Sequence, residues 1–217
     1  MPAAVMTYTT LFQDLQQYLE RGEEATDATV YEQIPRLIML GQRRLALRLK
    51  ILGFQVVVTA NLEQGVPAYQ KPDRWRQTIS INIGTGTTYN SRKFLFPRSY
   101  EYCRMVHPDD TVESVPEFYA DYDWTNWLIS PTPDDDYPVE IIYYELPAML
   151  SDDNMSNWAT EYAPGPLLYA CLLEAEPFLK DDDRIATWRE LYEEGVGLLT
   201  NEDVAKIFDR TSMRKEA

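Results

Sequence analysis

Between Asn157 and Leu199 the apolar residues recur twice at helical spacing, and no other stretch constrains the fold as strongly. Leu168, Cys171, Leu172, Ala175, Phe178 and Leu179 share one face of a first helix. Ile185, Trp188, Tyr192, Val196 and Leu199 share one face of a second. Only Lys180-Asp181-Asp182-Asp183 lies between them. Its aspartates suit the first turn of the second helix, where they oppose the positive end of the dipole. So short a link makes the helices antiparallel neighbours. The sequence therefore predicts a helical hairpin with two apolar faces.

Helical spacing also governs the N-terminal part. Thr10-x-x-Gln13 reads as a capping box for a first helix starting near Thr9 or Thr10. Tyr8, Leu11, Phe12, Leu15, Tyr18 and Leu19 form its apolar face, and Gly22 ends it. Thr29-x-x-Glu32 is a second capping box, opening a longer helix that runs to about Leu52 and stops at Gly53. Pro35 fits its first turn or kinks it slightly. Ile34, Leu37, Ile38, Gly41, Leu45, Leu49 and Leu52 form a core stripe. Arg36, Arg43 and Lys50 lie well away from it, with Leu40 and Leu47 among them. This second stripe is either a solvated face with two stray leucines or a subunit contact.

Between these helical parts the period changes to two. The segments 54–60, 78–83, 118–122, 124–130 and 139–144 read as strands, with a turn at Gly84-Thr-Gly-Thr-Thr. The segment 92–103 starts extended and ends as a helical turn. Pro131 to Pro138 reads as a hairpin-type link between the last two strands. No βαβ alternation occurs. The expected fold is α+β: a helical bundle from residues 1–53 and 150–208, with a small antiparallel β-sheet or sandwich inserted at 54–149. Residues 209–217 read as a flexible C-terminal tail.

Candidate chemistry is sparse. His107 is the single histidine, which excludes the usual zinc ligand sets and leaves no supported catalytic dyad. The aspartate runs 134–136 and 181–183 lack the spacing of a calcium loop. Gly84-Thr-Gly lacks the lysine and helix start of a phosphate loop. No catalytic residue and no cofactor site is assigned. Cys103 and Cys171 read as free thiols of a reducing compartment. No apolar run is long enough to span a membrane, and Met1-Pro-Ala-Ala-Val-Met carries no signal-peptide pattern.

The net charge of −15 opposes nucleic-acid binding by the whole surface. The charge is segregated. Arg36, Arg43, Arg44, Arg48 and Lys50 face no acid between Ile34 and Lys50, whereas Glu101 to Glu161 holds fifteen acids and one base, Arg104.

Several motifs, in order, carry a family resemblance. They are Thr7-Tyr-Thr-Thr-Leu, then Gln33-Ile-Pro-Arg-Leu-Ile-Met-Leu with Arg43-Arg44-Leu45, then Lys71-Pro-Asp-Arg-Trp-Arg. Next come Trp127 to Pro131 with Tyr137 to Tyr144, Leu146-Pro147 through Asn154, and Asn157-Trp158. Pro166 to Ala170, Glu174 to Asp182, Trp188 and Tyr192 complete the series. Together they resemble the head-to-tail adaptor (connector or neck) proteins of tailed bacteriophages. Ala163-Pro164-Gly165-Pro166 departs from the family's plainer Tyr-Pro-Asp, which implies a local change of backbone.

The resemblance implies a virion structural protein, made in the host cytoplasm, with no enzyme activity and no cofactor. Copies would form a ring, usually of twelve, under the portal protein. The ring would extend the DNA channel and offer a platform to the tail or a downstream neck protein, while genomic DNA passes without sequence-specific binding. On this reading Arg36, Leu40, Arg43, Arg44, Leu47 and Lys50 meet Glu190, Glu193 and Glu194 of a neighbouring copy. Lys206, Arg210, Arg214 and Lys215 would dock on the portal. Other readings are a different neck or tail-completion ring, a hydrolase, or a binding module with Tyr119, Tyr122, Trp124 and Trp127 in one exposed groove.

Overall fold

The computed structural model describes residues 6–84, 92–178 and 183–212, the last part (204–212) and Phe178 by backbone alone. The chain divides into two compact units. One comprises Met1–Phe54 with Leu146–Ala217 and the other Gln55–Glu145. The fold is α+β, as the alternation of periods predicts.

The helical unit begins with α1 (Tyr8–Leu19) and α2 (Ala28–Arg48). Thr7, not Thr10, caps α1: its hydroxyl accepts from Thr10 N while Thr10 Oγ1 accepts from Thr7 N. Asp27, not Thr29, caps α2 through Val30 N. Both caps precede the predicted ones: α1 starts at Tyr8, the first residue of its apolar face, and α2 starts at Ala28, ahead of its core stripe. Pro35 sits past the first turn, inside α2. α2 ends at Arg48, four residues before the expected Leu52, and Leu52–Phe54 forms a separate 3-10 turn. Leu52 N, released from the helix, donates to Asp203 Oδ1 at 3.1 Å.

The predicted hairpin resolves into more pieces. α4 (Trp158–Tyr162) and α5 (Pro164–Glu174) are separated by Ala163, where the proline-rich segment breaks the helix. α6 (Arg184–Ser212) then runs 29 residues, into the segment expected to be a tail. The Leu179 position and the Lys180–Asp182 link lie outside the described residues. α5 packs against α1, α2, α4 and α6. Leu167, Leu168, Ala170, Cys171, Leu172 and Leu173 are all buried, so α5 is covered all round instead of on one face. It can lie this close to α2 because Gly41 faces Cys171. A Cβ there would stand 2.5 Å from the Cys171 Sγ. Trp188, Tyr192 and Val196 of α6 complete the seam.

One buried amide fastens the strand-to-helix connection. Gln42 Oε1 accepts from Leu150 N (3.1 Å) and Asn157 Nδ2 (2.9 Å), while its Nε2 donates to Ile38 O. Asn157 in turn caps α4 through Ala159 N and Thr160 N.

The β unit is a two-sheet sandwich. One sheet holds β1 (Gln55–Leu62), β8 (Tyr137–Glu145), β3 (Trp75–Gly84) and β4 (Arg92–Phe94), in that order and all antiparallel. The other holds β2 (Ala68–Gln70), β7 (Asn126–Ser130), β6 (Phe118–Asp121) and β5 (Phe96–Pro97). Between β5 and β6 lies α3 (Tyr100–Val106), the helical turn expected there. The two sheets share a core of Ile81, Ile83, Val139, Ile141 and Tyr143 from one side and Tyr119, Trp127 and Ile129 from the other. β7 and β8 therefore do not form the expected hairpin. Residues 131–136 cross from one sheet to the other. β2 lacks a sequence signal, being three residues in a proline-flanked stretch. The turn expected at 85–88 falls outside the described residues.

Two polar hubs hold the strand connections. Lys71 is buried beside Trp75, its Nζ 3.8 Å from the ring centroid, and donates to Asp121 Oδ1 and Asp123 O at 2.8 Å each. Asp123 accepts from Thr125 N, Thr125 Oγ1, Asn126 N and Asn126 Nδ2, which holds its carboxyl at about 2.

Candidate assembly surface

On α2 the residues opposite the core stripe form a continuous outer face. Lys50, expected on this face, is exposed but lies beyond the end of α2 at Arg48, whereas Arg36, Met39, Arg43 and Leu47 are exposed on the helix, with Leu40 half-buried beside them. Their spacing of three and four residues places them on one side of the helix. Leu47 is 59% exposed, a large apolar side chain among cations.

α6 carries a stripe of opposite sign. Glu190, Glu194 and Leu198 follow one another at i, i+4 and i+8 and are exposed, Leu198 at 65%. Leu198 was not singled out from the sequence, nor was Met39. Both break the periodic core pattern, and that was the available signal.

The structure separates the predicted charges into two groups. Arg44 Nε donates to Glu174 Oε1 on α5, and Arg48 Nη2 lies 3.1 Å from Glu193 Oε2 on α6. Arg44 and Glu193 thus have partners within their own chain. Arg36, Arg43, Glu190 and Glu194 have no ion-pair partner among the described residues. Tyr192 lies under this rim. Its hydroxyl makes no hydrogen bond among the described residues, and burial pushes its phenol up. Burial likewise pushes the Cys171 thiol up, so it has no thiolate character to offer. Both cysteines are buried and free.

The predicted docking cations fall at the end of the chain. The backbone of α6 carries Lys206 and Arg210, whose side chains are outside the described set, as are Arg214 and Lys215 altogether. The four aromatics of the binding-module reading do not line one groove. Tyr119 and Trp127 are buried in the sandwich core, whereas Trp124 and Tyr122 are exposed, Trp124 edge-on to Trp75 and Tyr122 tilted against Tyr100. No group of three or more His, Cys, Asp or Glu among the described residues is arranged to hold a metal ion. No described helix is long and apolar enough to cross a membrane.

Two outer stripes of opposite charge, each with an exposed apolar residue, thus lie on α2 and α6. A protein-family profile described as "SU10 adaptor protein" matches residues 6–214, and the chain belongs to that adaptor family. This agrees with the resemblance to phage head-to-tail adaptors carried by the sequence motifs. No curated protein matches the chain.

Proposed function

We propose that the chain is the head-to-tail adaptor of a tailed phage, and that copies pack side by side in a ring under the portal. Membership of the adaptor family over residues 6–214 is the observation that carries this reading. Its role is structural and not catalytic. The helical unit supplies the ring contacts, and the β unit is an insertion available to other neck or tail components.

A ring requires a heterologous interface, in which two different faces of each copy meet. The α2 stripe of Arg36, Leu40, Arg43 and Leu47, with Lys50 just past the helix end, offers a cationic face with apolar anchors. The α6 stripe of Glu190, Glu194 and Leu198 offers the complementary one. Arg44 and Glu193 lie at the rim of the two stripes and are paired within the chain, with Glu174 and Arg48. The helix end with Lys206 and Arg210, together with Arg214 and Lys215, docks on the portal. The net charge of −15 supports a channel wall that repels the DNA backbone and lets it slide.

The test is assembly on isolated portals. Arg36→Glu with Arg43→Glu is expected to abolish ring formation, and Glu190→Lys with Glu194→Lys to restore it in part. Normal rings from the arginine double variant would overturn the proposed interface. Removal of residues 213–217 is expected to weaken portal binding without changing thermal unfolding.

A further inference from the structure

Among the described residues, the outer edge of β1 is the longest unpaired backbone edge in the β unit. β1 has 8 residues and pairs only with β8. In an antiparallel ladder alternate residues turn their N–H and C=O away from the partner strand. Half of β1 therefore points donors and acceptors outward. Natural edge strands of this length are blunted by charge, proline or a bulge. β1 has none of these: the chain carries no charged residue and no proline from Ile51 to Leu62, and its register with β8 is unbroken. The opposite edge, β4, is three residues long and carries Arg92 and Lys93, paired with Glu140 and Glu117.

The core is also incomplete on the β1 side. The inward residues of β8 and β3, namely Val139, Ile141, Tyr143, Ile81 and Ile83, are buried. Their counterparts Val56 and Val58 pack on the same core but remain half-buried. On the other face Val57 is 57% exposed, opposite the half-buried Ile142. A strand added to β1 would satisfy its outward groups and cover Val56 and Val58 on one face and Val57 on the other.

We propose that β1 accepts an extended segment of another polypeptide, adding a fifth strand to this sheet. The segment is uncharged, because a charge would be desolvated beside a stretch that offers none to pair with it. It carries an apolar residue at every second position, to extend the row of Val56 and Val58. A second copy of this chain is the poorer occupant. Its other sheet edges, β4, β2 and β5, are three, three and two residues long. Only β1 itself matches, and a β1-to-β1 pair is isologous and closes a dimer. This choice of a foreign strand rests on the ring reading above; the exposed edge does not.

Hydrogen exchange of the full chain tests the proposal, with an acetylated and amidated octapeptide of alternating Thr and Val as the probe. Saturating peptide is expected to slow exchange of the outward β1 amides by about tenfold or more, and a Thr/Glu peptide to leave them unchanged. Thr59→Pro and Ala60→Pro supply the variants. Successive N–H groups alternate between β8 and the outside, so one of the two removes a ladder bond and the other only an outward donor. The variant that keeps native β8 protection is expected to lose the peptide effect. No protection of wild-type β1, equal protection by the Thr/Glu peptide, or an unchanged effect in that proline variant would overturn the proposal. Protection that rises with protein concentration alone would assign the edge to a second copy and overturn the foreign strand. Failure here leaves the α2 charge-reversal result untouched, so the two readings fail separately.

Discussion

At Gly41 an added Cβ would stand 2.7 Å from Cys171 N and 2.8 Å from Cys171 Cα, both backbone atoms that a rotamer change cannot move. Gly41→Ala is therefore expected to push α2 off α5 and cost about 1–3 kcal/mol, read from the urea midpoint. Gly197 in α6 is the contrast, with nothing within 4 Å of its added Cβ. Gly197→Ala is expected to stabilise by about 0.5–1 kcal/mol through helix propensity. The same sign in both variants would contradict the close α2–α5 approach. Two side chains make the response to pH testable. The Asp123 carboxyl is held at about 2, well below its usual 3.8, by hydrogen bonds from Asn126 and Thr125. Its contribution is present above the ordinary value and is lost as pH falls toward 2. The Tyr137 phenol is pushed up to about 12 by burial and by its bond to Asp134. Its contribution is complete below the ordinary value of 10.0 and disappears as pH rises toward 12. Thermal melts of Asp123→Ala should therefore approach wild type in acid, and those of Tyr137→Phe in alkali. Gaps that stay constant across pH would contradict both.

Among the elements, α1 and α2 are separately testable. Thr7→Ala removes the reciprocal cap of α1 and is expected to cost about 1 kcal/mol, whereas Thr29→Ala, inside α2, removes no cap and is expected to cost less. The exposed ion pair Arg48–Glu193 is worth little to the isolated chain. Reversing Arg36 or Arg43 should change stability by under about 0.5 kcal/mol. A large loss of stability would mean that these residues hold the fold instead of an interface. The α2 core stripe was legible because Ile34, Leu37, Ile38, Gly41 and Leu45 repeat at the helical period, and all are buried. Strand existence was legible for the same reason at period two. Which sheet each strand joins was not. β7 and β8 alternate alike, and the choice between a hairpin and a crossing depends on partners distant in sequence. The caps were displaced by a turn or less because Thr7, Thr9 and Thr10 all suit the role, and only geometry selects among them.

For the whole molecule, the order of the motifs from Thr7 to Tyr192 carried the family, which the profile match establishes. The interface was less legible. The residue types predicted for it are mostly exposed, yet Arg44 and Glu193 are tied up within the chain. Pairings such as Arg44 with Glu174 span 130 residues and leave no local pattern. The proposed charge pairing between copies predicts that assembly weakens with salt, since exposed charges are screened beyond about 10 Å at 0.1 M. Electron microscopy of the purified chain mixed with its phage's portal protein is the most direct measurement. Closed rings of the chain stacked on one end of the portal are expected, with α2 of each copy against α6 of the next. Portals left bare at saturating chain, or chain bound as scattered single copies, would contradict the adaptor role.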